Sequence, residues 1–224
     1  MTERIDRRRL FVHAGAAGIG VLATELLRAQ TCQKVPPQTE GPFYPVTRRA
    51  DEDFDLTQVA GRQVGALGDA VLVRGVVQNE LCEPIPGTLV EIWQACAAGR
   101  YDHPDETNLS VPLDPNFQYW GRVTTPAAGS YGFKTVIPGL YPGRTRHIHF
   151  RVVAPNTPSL TTQMYFAGEP RNGSDAIYRS LGLAGQRLVT VEYARDPATG
   201  LRLATFNITL GRRGVPLTTP AQPD

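Results

Sequence analysis

The sequence predicts an all-β domain, a β-sandwich with long functional loops. Three observations predict it. At least seven short runs rich in β-branched and aromatic residues follow one another, separated by turn residues. The chain carries 22 glycines and 19 prolines, the punctuation that many short strands need. Only residues 174–181 read as a short helix. At 224 residues there is room for one domain with a real core and little for a second.

Each element has its own signal. Residues 32–45 are Pro-rich and extended, and 48–65 read as a polar surface loop. Ala70–Gln78 is apolar and β-branched, a first strand; Glu83-Pro84-Ile85-Pro86-Gly87 is a turn, and 88–95 alternates as a second strand. Residues 99–119 mix charges, Pro and Asn without periodicity. They form a long excursion of the kind that carries function on β scaffolds. Residues 121–125 and 130–137 read as a hairpin around Pro126-Ala127-Ala128-Gly129. Four further strands are expected at 146–154, 161–167, 187–194 and 203–209.

Composition narrows the function. A hydrophobic share of 41% and a charged share of 20% describe an ordinary globular chain. With 23 basic against 21 acidic residues the net charge is +2, which argues against a nucleic-acid partner.

The first 30 residues are set apart from the domain at 31–224. Basic residues lead into the mild apolar run from Ala14 to Leu27, followed by small and polar residues near Ala29. That is a signal-peptide layout, and Arg8-Arg9-Leu10-Phe11-Val12 fits its twin-arginine form. The apolar run is too short for a stable membrane anchor. The chain is therefore expected in the periplasm or outside the cell, exported already folded, which favours a cofactor inserted beforehand. Disulfides are permitted there. Of Cys32, Cys82 and Cys96 at most one internal pair can form. Cys32–Cys82 is the expected pair, because a hairpin would draw Cys82 and Cys96 apart; three free thiols are the alternative.

His147-Ile148-His149 is the sharpest local feature. Residues i and i+2 of a strand share a face, so both imidazoles can reach one metal. Tyr141-Pro142-Gly143-Arg144 precedes it by a tight turn, and Tyr101 opens the long excursion. Two His with two Tyr is an unusual donor set. Zinc prefers Cys, His and carboxylate, and soft copper(I) prefers sulfur. A phenol, with its pKa near ~10, ligates well only under a strong Lewis acid, and hard ferric iron suits it. Two phenolates plus a hydroxide would balance iron(III), and a neutral site can be buried without a large Born penalty. Trp93 reads as core, His103 as a solvated loop residue, and Arg48 and Arg49 as a solvated face.

In these residues the chain resembles the intradiol ring-cleavage dioxygenases, the family of protocatechuate and catechol dioxygenases. The resemblance covers roughly residues 38 to 170. It includes Thr39-Glu40-Gly41-Pro42-Phe43-Tyr44-Pro45, Pro86-Gly87-Thr88-Leu89-Val90-Glu91-Ile92-Trp93-Gln94 and Ala97-Ala98-Gly99-Arg100-Tyr101. Asp114-Pro115-Asn116-Phe117, Gly121-Arg122, Pro138-Gly139-Leu140-Tyr141-Pro142 and His147-Ile148-His149-Phe150 continue it.

The resemblance implies an iron(III) cofactor held by Tyr101, Tyr141, His147 and His149, with Tyr141 the axial ligand that leaves when substrate binds. It implies that Arg144 steadies negative charge on the substrate ring, that Gln163 sits beside that Arg, and that Gly41, Pro42 and Tyr44 line the substrate pocket. The expected substrates are a small aromatic diol and O2, with the ring cut between its hydroxylated carbons to a muconate-type diacid. Self-association into a homo-oligomer stays open. The link from Tyr141 to His147 is shorter than in cytoplasmic members, and Gly143 stands in the region of their pocket Trp, as in an exported, short-form branch. Two other readings compete: an exported zinc hydrolase built on the same His pair, and a non-catalytic β-sandwich binding module.

Overall fold

The computed structural model describes residues 31–46 and 51–211. Its strands are β1 (Ala70–Gln78), β2 (Leu89–Trp93), β3 (Trp120–Thr124), β4 (Ser130–Val136), β5 (His147–Val153), β6 (Leu160–Phe166), β7 (Thr190–Val191), β8 (Tyr193–Arg195), β9 (Arg202–Thr205) and β10 (Ile208–Thr209). Two short helices, α1 (Ala176–Ser180) and α2 (Gly182–Val189), join β6 to β7. The strands form two sheets, the sandwich that the sequence predicts. In the first, β1 pairs antiparallel with β4 and parallel with β9 and β10, and β8 flanks β9. The second runs β3-β2-β5-β6-β7, with β5 at its centre.

Side-chain alternation decides what each face of the second sheet does. Val90 and Ile92 of β2, and Ile148, Phe150 and Val152 of β5, point between the sheets. There they meet Val71 and Val73 of β1 and Phe133 of β4. Each such side chain, once fully buried, contributes about 1.5–3 kcal/mol. The opposite parity belongs to Trp93, His147 and His149. It faces outward, where Phe43, Ala95, Tyr101 and Trp120 form a second, smaller buried cluster with Trp93.

The segment 31–46 is a strap that runs from the first sheet, past β6, to this outer face. A disulfide between Cys32 and Cys82, with Cα atoms 5.3 Å apart, fastens one end, as expected; Cys96 stays a buried thiol. Val35 N–H then donates to Thr209 O, and Gln38 N–H donates to Thr161 O at 2.9 Å on β6.

Four sequence expectations are corrected. Residues 121–125 and 130–137 are not a hairpin: β3 pairs with β2 and β4 with β1. Thr125 N–H donates to Thr88 O, whereas Gly129 O accepts from Val77 N–H, so the turn between them crosses from one sheet to the other. Alternation reveals a strand but not its partner. The strand expected at 187–194 begins late, because residues 187–189 continue α2. That helix is held by Gln186 Nε2 donating to Tyr178 O and is closed by Thr190 Oγ1 donating to Gln186 O. The short helix expected at 174–181 is α1, and α2 follows it directly. The strand expected at 203–209 is broken at Phe206 and Asn207. Gly75 permits this, since a Cβ there would lie 1.9 Å from Phe206 O, the carbonyl that accepts the Tyr131 hydroxyl. Finally, the surface loop at 48–65 buries Leu56 completely.

The leader expected at 1–30, Arg48 and Arg49, and the end of the domain from 212 lie outside the described residues. Among the described residues no helix is long and apolar enough to cross a membrane.

Candidate metal and active site

Three segments converge on the outer face of β5. The first is β5 itself, which carries His147 and His149 side by side with Nε2 atoms 3.1 Å apart. Two ligand atoms held in cis positions at about 2.1 Å from one metal lie about 3 Å apart, so this spacing suits a shared ion. Cross-strand neighbours fix His149: Trp93 stacks on it at 4.7 Å from β2, and Gln163 lies opposite on β6. For His147, the Nδ1–H donates to Thr145 O at 2.7 Å, which leaves Nε2 as the lone-pair nitrogen.

The second and third segments bring the tyrosines. Residues 97–101 and 138–141 pack backbone against backbone, with Gly139 N–H donating to Cys96 O at 2.9 Å. Glycine is required on both sides. A Cβ on Gly99 would meet Leu140 O at 2.3 Å, and one on Gly139 would meet Gly99 N at 2.2 Å. This contact sets the Tyr101 hydroxyl 3.4 Å from His147 Nε2 and the Tyr141 ring 5.8 Å from the Tyr101 ring.

Arg144 completes the cluster. Its side chain is 16% exposed, not a plain surface charge. Nη2 donates to Gln163 Oε1 at 2.7 Å, Nε donates to Asp175 at 2.8 Å, and Nη1 lies 3.5 Å from His147 Nε2. Gln163 Nε2 in turn donates to Thr39 O of the strap. Asp175 stays ionised: burial alone would raise its carboxyl, but N–H donors from Tyr178 and Thr145 and the Arg144 charge hold it below the usual range.

Among the residues expected in the substrate pocket, Gly41 lies against the site, with the place of its missing Cβ 3.5 Å from His149 Cε1. Pro42 is exposed beside it. Tyr44 is further out: its hydroxyl donates to Glu91 at 3.2 Å, Arg151 sits over its ring, and its edge meets Trp93. Sequence reasoning passed over Phe43, which stacks on Tyr101 at 4.8 Å and meets Tyr141 edge-on at 5.3 Å. It also passed over Glu106, whose buried carboxylate accepts the Tyr101 N–H. Asp175 was missed too, although an Asp just before a helix is a capping signal. Trp93 is core, as read, but its ring is also a wall of the site. His103 is corrected: only 4% of its side chain is exposed, and it packs edge-on against Phe43 rather than standing in solvent.

Electrostatics describe what this pocket accepts. Burial, helped by the nearby Arg144 charge and opposed by the Thr145 carbonyl, lowers His147 to about 3. Burial, His147 and Arg144 lower His149 as well, so both imidazoles are neutral lone-pair donors. Burial raises Tyr101, with Arg144 opposing and Tyr141 adding. Burial and Glu106 raise Tyr141, again against Arg144. Such phenols stay protonated unless a multiply charged cation displaces their protons. The donor set therefore fits a hard, trivalent ion. Among the described residues, no group of three or more His, Cys, Asp or Glu gathers that could serve as a zinc site.

The chain also has relatives among known proteins. A family model described as dioxygenase matches residues 39–212. The protocatechuate 3,4-dioxygenase beta chain of Burkholderia cepacia is 40% identical over 163 residues, 69% of this chain and 65% of that one. Catechol 1,2-dioxygenase 2 of Acinetobacter lwoffii is 31% identical over 160 residues, 60% of this chain and 52% of that one. The chain thus spans less than two thirds of the length of these relatives. Among solved structures, the dioxygenase domain of a dioxygenase and carbohydrate-binding protein fusion from Streptomyces sp. SirexAA-E is 34% identical. It has a TM-score of 0.62, covering 80% of this chain and 99% of that one. An intradiol ring-cleavage dioxygenase from Tetranychus urticae shares the fold at 22% identity, with a TM-score of 0.65 over 80% of this chain and 95% of that one.

Proposed function

The chain belongs to the intradiol ring-cleavage dioxygenases, and from that premise we propose that it opens a catechol-type ring between its two hydroxylated carbons, using O2 and iron(III). The observation that carries the reading is the meeting of His147, His149, Tyr101 and Tyr141 in one pocket with Arg144 beside them. When bound, ferric iron supplies the Lewis acidity that keeps both phenolates ionised and draws electron density from a catecholate.

The protein's own share can be followed atom by atom. His147 and His149 present Nε2 lone pairs on a rigid central strand, and Tyr101 presents its oxygen from the wall that Phe43 covers. The half-buried Tyr141 oxygen accepts a proton as the diol arrives, so charge in the pocket stays balanced. Arg144, its direction fixed by Gln163, faces the negative charge that develops on the ring. Phe43 and Trp93 keep water from the reacting carbons.

Export by the twin-arginine route is part of this proposal. A disulfide between Cys32 and Cys82 supports an oxidising compartment, and a site assembled from distant segments supports loading before export. Purified protein should consume catechol with one equivalent of O2 and no added reductant, giving a product cut between the hydroxylated carbons. Cleavage outside the diol, or an absolute need for NADH, would reject the proposal.

A further inference from the structure

One side chain outside the candidate ligand set touches both halves of the site. Asp175 caps α1, and its side chain is fully buried, with 0% exposed. Oδ1 accepts the N–H of Tyr178 at 2.9 Å, which is all that a cap requires. Oδ2 does more. It accepts Arg144 Nε at 2.8 Å and the Thr145 N–H at 2.8 Å. The carbonyl of that same Thr145 accepts His147 Nδ1–H at 2.7 Å, and its hydroxyl donates to Asn172. A single carboxylate oxygen is therefore joined directly to the cation and, through one residue, to the imidazole.

We infer that Asp175 is a positioning residue that aims Arg144 and His147 together, an inference that rests on the reading of the site given above. A guanidinium is a rigid plane, so holding Nε on Asp175 and Nη2 on Gln163 fixes where Nη1 points. Without the carboxylate, Arg144 can turn its charge toward solvent and away from the metal pocket. Thr145, freed at its N–H, no longer holds its carbonyl against His147.

The test compares Asp175→Ser and Asp175→Asn with the parent enzyme, and Asp175→Ser again in an Arg144→Gln background. Ser and Asn are both good N-caps, so the helix start is kept while the Arg144 contact is lost. Asp175→Ser should lower kcat by about 10–100-fold, the usual range for groups that orient ligands, with little change in KM and faster iron loss to a chelator. In the Arg144→Gln background, the further loss of kcat should largely disappear. Asp175→Asn is scored in the same way if the Ser variant does not fold. In metal-free protein, the protected His147 Nδ1 proton should disappear from the NMR spectrum of either variant. Parent-like kcat and iron retention would overturn the inference, as would equal losses in both Arg144 backgrounds or an unchanged His147 proton. A parent protein with neither iron nor catechol turnover would instead reject the site reading, and the His147 proton would still judge Asp175.

Discussion

Tyr101 and Tyr141 meet edge to face with ring centroids 5.8 Å apart, yet only Tyr101 is sealed from solvent. Tyr141, in its Pro-flanked turn, is half-buried. This asymmetry suits one ligand that stays and one that leaves. Tyr141→Phe should keep much of its iron while turnover falls by a factor on the order of 10²–10⁴, the range for a positioned proton acceptor. Tyr101→Phe should damage iron retention more. Iron content and single-turnover rates of both variants check this, and a Tyr141→Phe enzyme with full iron at the parent rate would remove Tyr141 from its role.

Purified from native expression, the protein should be red to burgundy, because phenolate-to-iron charge transfer absorbs visible light. Removing the metal with a chelator under reducing conditions should bleach it, and ferric iron should restore the band. A colourless protein holding stoichiometric zinc would favour the hydrolase reading.

Gly139→Ala should destabilise the fold by about 1–3 kcal/mol, the usual cost of overpacking. Its new Cβ would lie 2.2 Å from Gly99 N and 2.4 Å from Ala97 O, both backbone atoms that cannot swing aside. The urea midpoint reports the loss. The charge-transfer band should weaken in parallel, since this contact is what brings the two tyrosines together. A parent-like midpoint and band would show that the backbone contact matters less than its geometry implies.

Loss of the disulfide should be felt far from the sulfurs. Cys32 and Cys82 are 50 residues apart, and closing a loop of that size stabilises by about 4 kcal/mol at most on chain-entropy grounds. Replacing both with Ser should lower the melting temperature and speed proteolysis within the strap before the rest of the domain is cut. Uniform proteolysis with an unchanged melting temperature would count against the strap as a tethered element.

On the proposed export route, replacing Arg8 and Arg9 with Lys should block export and leave active protein in the cytoplasm, because such a pair would serve as an address read by a receptor. The same periplasmic yield from parent and variant would dismiss the route.

The strand that carries the histidine pair was legible in the sequence because its signals are local. His147-Ile148-His149 shows its alternation in three residues, and the blocks around Tyr101, Tyr141 and Gln163 carry their own motifs. Partners of long range left no such trace. Nothing near Ser130 says that its strand joins β1 rather than β3, and nothing near Phe206 announces a break imposed by Gly75 and Tyr131. Asp175 was hidden for the same reason. A helix cap is visible from its neighbours, but Arg144 is 31 residues away in the chain.

The parallel pairing of β1 with β9 and β10 reaches beyond the finished molecule. An early strand waits for nearly the last described residues of the chain to complete one of its edges. While the protein is being made, that edge of Val71–Arg74 has no native partner and is open to a neighbouring nascent chain or to a chaperone. The first sheet therefore cannot be completed until Arg202–Thr209 have been made. A truncation just before Arg202 should yield aggregates, not a smaller sandwich.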